Sequence, residues 1–268
     1  MPMLAYHLLR AACKPVQWCC IPSAVLHAGR LPDRGPCILA PTHNSHLEPF
    51  VLSLILRGRI RWMARNEFYA YKTTAALMRG VGAFSVRRRG YPRPTLRVGL
   101  ELLEQDERIG VFPEGGVSRR QYSAMRGGPI SHGACFLAMY AQAPIIPIAM
   151  VGTHAMNRVG PWMPFRRAPV HIAIGEPIQP GPCPSKLSDK RVRRYELGEI
   201  LRERYQSLYQ ELLTLPGVDD DHDLHPGQPD DPALVRFDPD SAAGITANDE
   251  ARKSRIASDR RRLSSVDV

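Results

Sequence analysis

Several signatures of chemistry are absent from this chain of 268 residues. Its six cysteines include no C-x-x-C pair, so a zinc site is not expected. Cys37 and Cys135 lie in apolar runs, which predicts buried thiols and favours a reducing cytosol over disulfides. No G-x-S-x-G occurs, which argues against a hydrolase with a nucleophilic serine at a strand-to-helix elbow. Gly80 and Gly82 are not followed by a third glycine that opens a helix, so the dinucleotide-binding fingerprint is also absent.

Residues 1–29 lack acidic residues, and they lack an apolar run of the roughly 20 residues that a membrane-spanning helix needs. No small-residue cleavage site follows a clean apolar core, which argues against a removable signal peptide. The scattered bases, Trp18 and two prolines, Pro15 and Pro22, favour short helical segments that lie in a membrane interface. An ordinary buried N-terminal helix is the alternative.

Acidic residues are also scarce between Arg57 and Arg97, where eleven basic residues stand against one acid, Glu67. The window carries 11 − 1 = +10, which equals the formal net charge of the whole chain, +10. A solvated helix face would normally interleave acids with its bases. The imbalance therefore favours a partner that carries phosphate: nucleic acid, an anionic lipid or a phosphorylated substrate.

Short apolar runs alternate with helical patterns through most of the chain, which predicts an α/β fold. Strands are predicted at 37–40, 61–64, 83–86, 109–112, 145–151 and 169–174, and helices at 50–56, 94–108, 133–141 and 186–215. From Pro216 onward the chain has few apolar residues and no periodicity, so residues 216–268 are predicted to form a disordered charged tail.

The turn at 41–50, P-T-H-N-S-H-L-E-P-F, lies between a predicted strand and a predicted helix, where ligands bind in α/β folds. Its His43 and Glu48 fit a general-base pair, in which the histidine takes a proton from a hydroxyl and the carboxylate fixes the tautomer. The same turn permits a structural alternative. Ser45 and Glu48 fit a capping box, or Glu48 is itself the N-cap ahead of Pro49.

A strand-turn-helix pattern at His43, an arginine-ended strand at Arg88, an F-P-E-G turn at 112–115 and an I-P-I strand at 146–148 follow one another in the chain. In this order the four blocks resemble the signature of the glycerolipid acyltransferases typified by lysophosphatidic acid acyltransferase, and they cover about residues 30–180. The first block of that family is N-H-x-S-x-x-D. His43 and Ser45 match it, while Thr42 stands where Asn is usual and Glu48 replaces Asp.

The second and fourth blocks of the resemblance are apolar strands. The second closes on an arginine and falls on residues 82–88, with Arg88 at the arginine position and Arg65 near the position of a lysine. In the fourth block Pro147 matches the proline of a V-P-V strand.

The third block, F-P-E-G-T-R-S in the family, reads F-P-E-G-G-V-S at 112–118. Val117 replaces its arginine, and Arg119 or Arg120 follows directly as a substitute.

The resemblance implies an α/β domain at 30–215 with a mixed central β-sheet flanked by helices, preceded at 1–29 by an amphipathic, membrane-associating helical segment. It implies that His43 is the catalytic base and that Glu48 orients it. It also implies a binding site for the acceptor's phosphate made of Arg88, Glu114, Gly115, Gly116, Arg65 and Arg119.

The implied reaction moves a fatty acyl group from acyl-CoA or an acyl-carrier protein to a lysophospholipid, foremost lysophosphatidic acid, at the cytoplasmic face of a membrane. No metal or redox cofactor and no nucleic acid partner is expected. One alternative is the same family acting on a lyso-aminolipid or glycolipid. Another is a nucleic-acid-binding protein without catalysis. Two observations argue against it: the arginines stand mostly at strand ends, and the stretch lacks the aromatic pattern of an RNA-stacking sheet.

Overall fold

A computed structural model describes residues 3–70, 75, 78–79, 82–86, 93–117, 122–158 and 169–219. These residues fall within one compact unit, Met1–Pro226. Almost all of the charged tail predicted at 216–268 lies outside the described residues, so it stays a prediction.

Seven strands form one central sheet. They are β1 Ser23–Leu26, β2 Cys37–Pro41, β3 Ile60–Arg65, β4 Phe84–Val86, β5 Arg108–Gly110, β6 Ile145–Val151 and β7 Val170–Ile174. Their order across the sheet is β1-β7-β6-β2-β5-β3-β4. The strands from β6 to β4 in that order are parallel, β7 is antiparallel to β6, and β1 is parallel to β7. The sheet is therefore mixed, as predicted.

Five helices flank the sheet in the described part of the chain: α1 Met3–Cys20, α2 Glu48–Ile55, α3 Arg93–Glu104, α4 Gly133–Ala141 and α5 Leu187–Leu213. The predicted bounds of α4 and β6 are confirmed. Strand β5 ends earlier than predicted, because Phe112 already belongs to a turn in which its carbonyl accepts the N–H of Gly115 at 3.0 Å.

Alternate side chains of β2 enter two hydrophobic cores, one on each face of the sheet. Ile38 and Ala40 pack in the core that takes in α3, α4 and α5. Cys37 and Leu39 pack in the core that takes in α1 and α2. All five residues of β2 are buried, which is the pattern of a central strand covered by helices on both faces.

The N-terminal segment differs from its predicted form. Helix α1 runs without a break through Pro15, although a proline removes one helical hydrogen bond. Its last residue, Cys20, is buried in the core, and β1 pairs with β7 at the sheet edge. The structure thus assigns residues 23–26 to the sheet, whereas the sequence grouped them with the membrane-associating segment.

None of the helices described by the structure combines the length and the apolarity that a bilayer crossing requires. The association of residues 1–29 with a membrane stays a prediction.

The parallel strands β2, β5 and β6 direct their carboxyl ends to one edge of the sheet. The chain leaves β2 at Pro41, and the next residue, Thr42, still donates its N–H to the carbonyl of Ile148 at 2.9 Å. The turn that begins at His43 therefore lies at the edge where α/β sheets bind ligands. We call this edge of the sheet the carboxyl edge, and we call residues 42–47, which join β2 to α2, the histidine turn.

Candidate active site

His43 and Glu48 form a close pair at the carboxyl edge. The Nδ1 atom of His43 lies 2.8 Å from Oε2 of Glu48. A carboxylate oxygen only accepts hydrogen bonds, so Nδ1 is the donor and carries the ring proton. Nε2 is then the ring nitrogen that can receive a proton from a substrate hydroxyl. The structure brings together the two residues that the sequence predicted as a general-base pair.

The carboxylate of Glu48 is fully buried and is held by three donors. Besides His43, the backbone N–H of Asn44 donates to Oε1 at 2.9 Å, and the hydroxyl of Thr153 donates to the same oxygen at 2.6 Å. A buried carboxylate needs such partners, because desolvation of an unpaired charge is costly. Both oxygens of Glu48 are therefore held in place before any substrate arrives.

The capping alternative for Glu48 is wrong. Helix α2 begins at Glu48, its N-cap is Leu47, and no side chain caps the helix. Ser45 Oγ accepts from the N–H of Leu47 at 3.2 Å and so closes a local turn. The Glu48 carboxylate bonds His43, Asn44 and Thr153.

Glu114 holds the backbone of the histidine turn. One of its carboxylate oxygens accepts the N–H of His43 at 2.5 Å. The other accepts the N–H of Ala124 at 2.7 Å and the hydroxyl of Ser123 at 3.3 Å. The side chain is buried, and an ionised carboxylate has no hydrogen to donate to a phosphate. These contacts hold the Glu114 carboxylate against N–H and O–H groups of the protein, and its part in acceptor binding stays a prediction.

The glycines that follow Glu114 are also used differently from each other. Gly115 has a positive φ of 75°, a conformation that favours glycine, and its N–H is engaged by the carbonyl of Phe112. Among the described residues, no atom lies within 4 Å of a side chain added at Gly116, so Gly116 has room for a ligand beside its backbone.

A column of aromatic rings supports the imidazole. Phe112 stacks on His43 with centroids 4.1 Å apart, and Trp62 stacks on the other side of Phe112 at 5.4 Å. The indole N–H of Trp62 donates to Ser53 Oγ at 2.8 Å, which anchors the column to α2. Gly110 makes room for it, because a Cβ there would come within 2.2 Å of the indole.

The predicted arginines are described only in part. Arg65 ends β3, and since β3 runs parallel to β5, its backbone lies toward the carboxyl edge. Arg88 and Arg119 lie outside the described residues, so their assignments stay predictions. Arg59 and Arg61 stand at the start of β3, toward the opposite edge. The basic window is therefore divided between the two edges of the sheet.

Several contacts of the site were not predicted from the sequence. Thr42 Oγ1 accepts the N–H of Met150 at 3.0 Å, and Asn44 Nδ2 donates to the Met150 carbonyl at 2.9 Å. The residues before and after His43 are therefore both hydrogen-bonded to β6. Thr153 follows β6 after Gly152. One signal could have identified Thr153, because polar residues just after a parallel strand lie at the edge where ligands bind.

Within the described ranges, no three His, Cys, Asp or Glu side chains cluster as a metal site would require. The polar groups around His43 are hydrogen-bonded to one another.

Comparison with known proteins gives matches to acyltransferases. The family model described as acyltransferase matches residues 24–151. The 1-acyl-sn-glycerol-3-phosphate acyltransferase of Bacillus subtilis is 24% identical over 192 residues, covering 71% of this chain and 90% of that protein. The alpha 1-acyl-sn-glycerol-3-phosphate acyltransferase of Homo sapiens is 32% identical over 126 residues, covering 46% of this chain and 43% of that protein.

Among solved structures, the crystal structure of the 1-acyl-sn-glycerophosphate acyltransferase of Thermotoga maritima matches with a TM-score of 0.59, covering 78% of this chain and 80% of that one. At 19% sequence identity this match supports the fold alone. The family match, the named relatives and the four blocks in their order show an acyltransferase domain at residues 24–151, and the protein is an O-acyltransferase.

Proposed function

We propose that this enzyme transfers a fatty acyl group from acyl-CoA or an acyl-carrier protein to the free hydroxyl of lysophosphatidic acid, which yields phosphatidic acid. The observation that carries the proposal is the pairing of His43 Nδ1 with Glu48 Oε2 at 2.8 Å. That pairing leaves Nε2 as the base. The acceptor is inferred from the relatives, which are named as 1-acylglycerol-3-phosphate acyltransferases.

The reaction needs one proton to move twice. Nε2 of His43 takes the proton of the acceptor hydroxyl while its oxygen attacks the carbonyl carbon of the thioester. The tetrahedral intermediate then expels the thiolate, which takes the proton back from the imidazolium as the C–S bond breaks. Glu48 stabilises the imidazolium between these steps, because its charge lies against Nδ1 and its position is fixed by two further donors.

The acceptor's phosphate is proposed to bind Arg88, with Arg65 and Arg119 assisting. The open space beside the Gly116 backbone is proposed to admit this phosphate. Arginine suits this role because its planar fork gives two parallel hydrogen bonds to a phosphate. The acceptor and product are lipids, so we also propose that the enzyme works at the cytoplasmic face of a membrane through residues 1–29.

A second acceptor class is supported by one departure from the family. Val117 replaces the arginine of the third block, and valine cannot bind a phosphate. A lyso-aminolipid or glycolipid acceptor is the competing proposal.

The test is an acyl-transfer assay with both donor types and three acceptors: lysophosphatidic acid, lysophosphatidylethanolamine and monoacylglycerol. We expect lysophosphatidic acid to be acylated fastest, and His43→Ala to retain roughly one per cent of that rate or less, as for loss of a general base. His27→Asn is the matched control, since His27 follows β1 at the opposite edge of the sheet.

Equal use of monoacylglycerol would overturn phosphate recognition, and preference for the aminolipid would favour the second acceptor class. More than a few per cent of the activity in His43→Ala, with His27→Asn unaffected, would place the base elsewhere.

A further inference from the structure

Thr153 contacts Glu48 of the His43–Glu48 pair from a distant part of the chain. Its hydroxyl donates to Oε1 of Glu48 at 2.6 Å across 105 positions of the chain. The residue is fully buried and opens the 3-10 helix Thr153–Arg158 directly behind β6. Because its side chain is fully buried and its hydroxyl bonds Glu48, Thr153 is placed to act on catalysis through Glu48.

The position of Thr153 is fixed by the backbone on both sides. Gly152 has a positive φ of 86°, and a Cβ there would come within 2.0 Å of the Pro169 carbonyl, so the chain turns tightly between β6 and the 3-10 helix. On the strand side, Met150 is bonded to Thr42 and Asn44 of the histidine turn. The hydroxyl of Thr153 is thus presented to Glu48 by a rigid end of β6.

We propose that Thr153 is a positioning residue that fixes the rotamer of Glu48 and, through it, the tautomer and direction of the His43 ring. The inference rests on the proposed general-base function of this pair. Glutamate has one more rotatable bond than the aspartate usual in the family's first block, and a longer side chain loses more rotamer freedom when it is held. Asn44 N–H and the Thr153 hydroxyl hold Oε1, so Oε2 is left to face His43 Nδ1.

Thr153→Val tests the proposal, since it keeps the shape of the side chain and removes the hydroxyl. We expect the turnover number to fall by about ten- to a hundredfold, the range for a lost hydrogen bond to a charged group. The Michaelis constants for donor and acceptor should stay within about twofold, because Thr153 acts through Glu48 on the reacting step and not on binding. Thr153→Ser keeps the hydroxyl and should restore most of the turnover.

A matched control separates positioning from general stability. Tyr205→Phe removes another buried hydroxyl, which donates to the Ala40 carbonyl at 2.8 Å and does not touch Glu48. This variant should lose thermal stability comparable to Thr153→Val and keep near-parental turnover. Nitrogen-15 spectra of the His43 ring, identified by its loss in His43→Ala, should show the Nδ1–H tautomer in the parent and in Thr153→Ser and a mixture in Thr153→Val.

Three results would overturn the inference: parental turnover in Thr153→Val, equal losses in the Val and Ser variants, or an unchanged His43 tautomer in Thr153→Val. The assay uses whichever acceptor the parent acylates best, so a wrong acceptor assignment does not affect it. Full activity in His43→Ala would instead refute the proposed general-base function itself.

Discussion

At the scale of single residues, the two carboxylate oxygens of Glu48, which the resemblance places at the aspartate position of the first block, bond different groups. Oε2 faces His43, and Oε1 is held by the Asn44 N–H and the Thr153 hydroxyl. The extra methylene is accommodated by burial of the whole side chain. Charge and hydrogen bonding at this carboxylate can therefore be separated by substitution.

Glu48→Gln keeps the size of the side chain and removes its charge. The amide oxygen can still accept from Asn44 and Thr153, but the amide NH₂ then faces Nδ1 of His43 and favours the wrong tautomer. We expect turnover to fall by about two to four decades, as for other acids that orient a catalytic histidine. Steady-state kinetics with lysophosphatidic acid measures this.

Glu101→Gln is the control for that substitution, because Glu101 is exposed and pairs only with its helical neighbour Arg97 among the described residues. It should leave turnover unchanged. If Glu48→Gln works within about threefold of the parent, a small loss for an orienting acid, then the charge of Glu48 has no part in the reaction.

The pair His43 and Glu48 could be predicted because both residues lie in one short turn, where sequence spacing translates directly into distance. The contact of Thr153 with Glu48 could not be predicted, since it depends on the pairing of β2 with β6; the sequence shows only that Thr153 closely follows a strand. For Glu114 the resemblance implies a place in the acceptor site, which stays a prediction. The contacts of its oxygens with the backbone of His43 and Ala124 could not be predicted without the fold.

At the scale of elements, the buried strand β6 could be predicted from its apolar run, and the edge strand β1 could not be predicted. All seven residues of β6 are buried, and their apolar run predicted the strand from Ile145 to Val151. Strand β1 has four residues, none of them fully buried, in a stretch whose composition matches the helix before it. Its assignment to the sheet depends on pairing with β7, which lies almost 150 residues further along the chain.

Helix α1 allows a specific test of membrane association. Trp18 is 81% exposed on this helix, and indole rings favour the headgroup region of bilayers. We expect Trp18→Glu to weaken binding to anionic vesicles by about tenfold or more, because burial of one large apolar side chain is lost and a repelled charge is added. Vesicle co-sedimentation measures the change.

Val192→Glu is the control for Trp18→Glu, since Val192 is 57% exposed on α5 and lies outside the predicted membrane segment. It should add the same charge with little change in binding. Equal losses in the two variants would show that net charge, and not α1, governs the association.

At the scale of the whole molecule, the excess of arginine predicted attraction to phosphate but not its location. Arg59 and Arg61 lie toward the edge of the sheet opposite His43, and Arg59 is 3.6 Å from Glu107. Burial, and then the charge of Arg59, lowers the pKa of Arg61. Composition alone cannot assign charges to one edge or the other, because that assignment depends on strand direction.

The buried thiols predict how the stability of the whole fold depends on pH. Burial raises the pKa of Cys37 to about 11 and of Cys135 to about 12, from an ordinary value of 9.0. Above pH 9 the unfolded chain loses these protons while the native state keeps them. The free energy of unfolding should therefore fall as pH rises from 9 to 11, by roughly 1.4 kcal/mol per pH unit for each thiol. Urea unfolding under reducing conditions measures the slope.

Replacing Cys37 and Cys135 by Ala should flatten the dependence of the unfolding free energy on pH, and Cys183→Ala, at an exposed site, should not. An unchanged slope in the double variant would contradict this origin of the pH dependence.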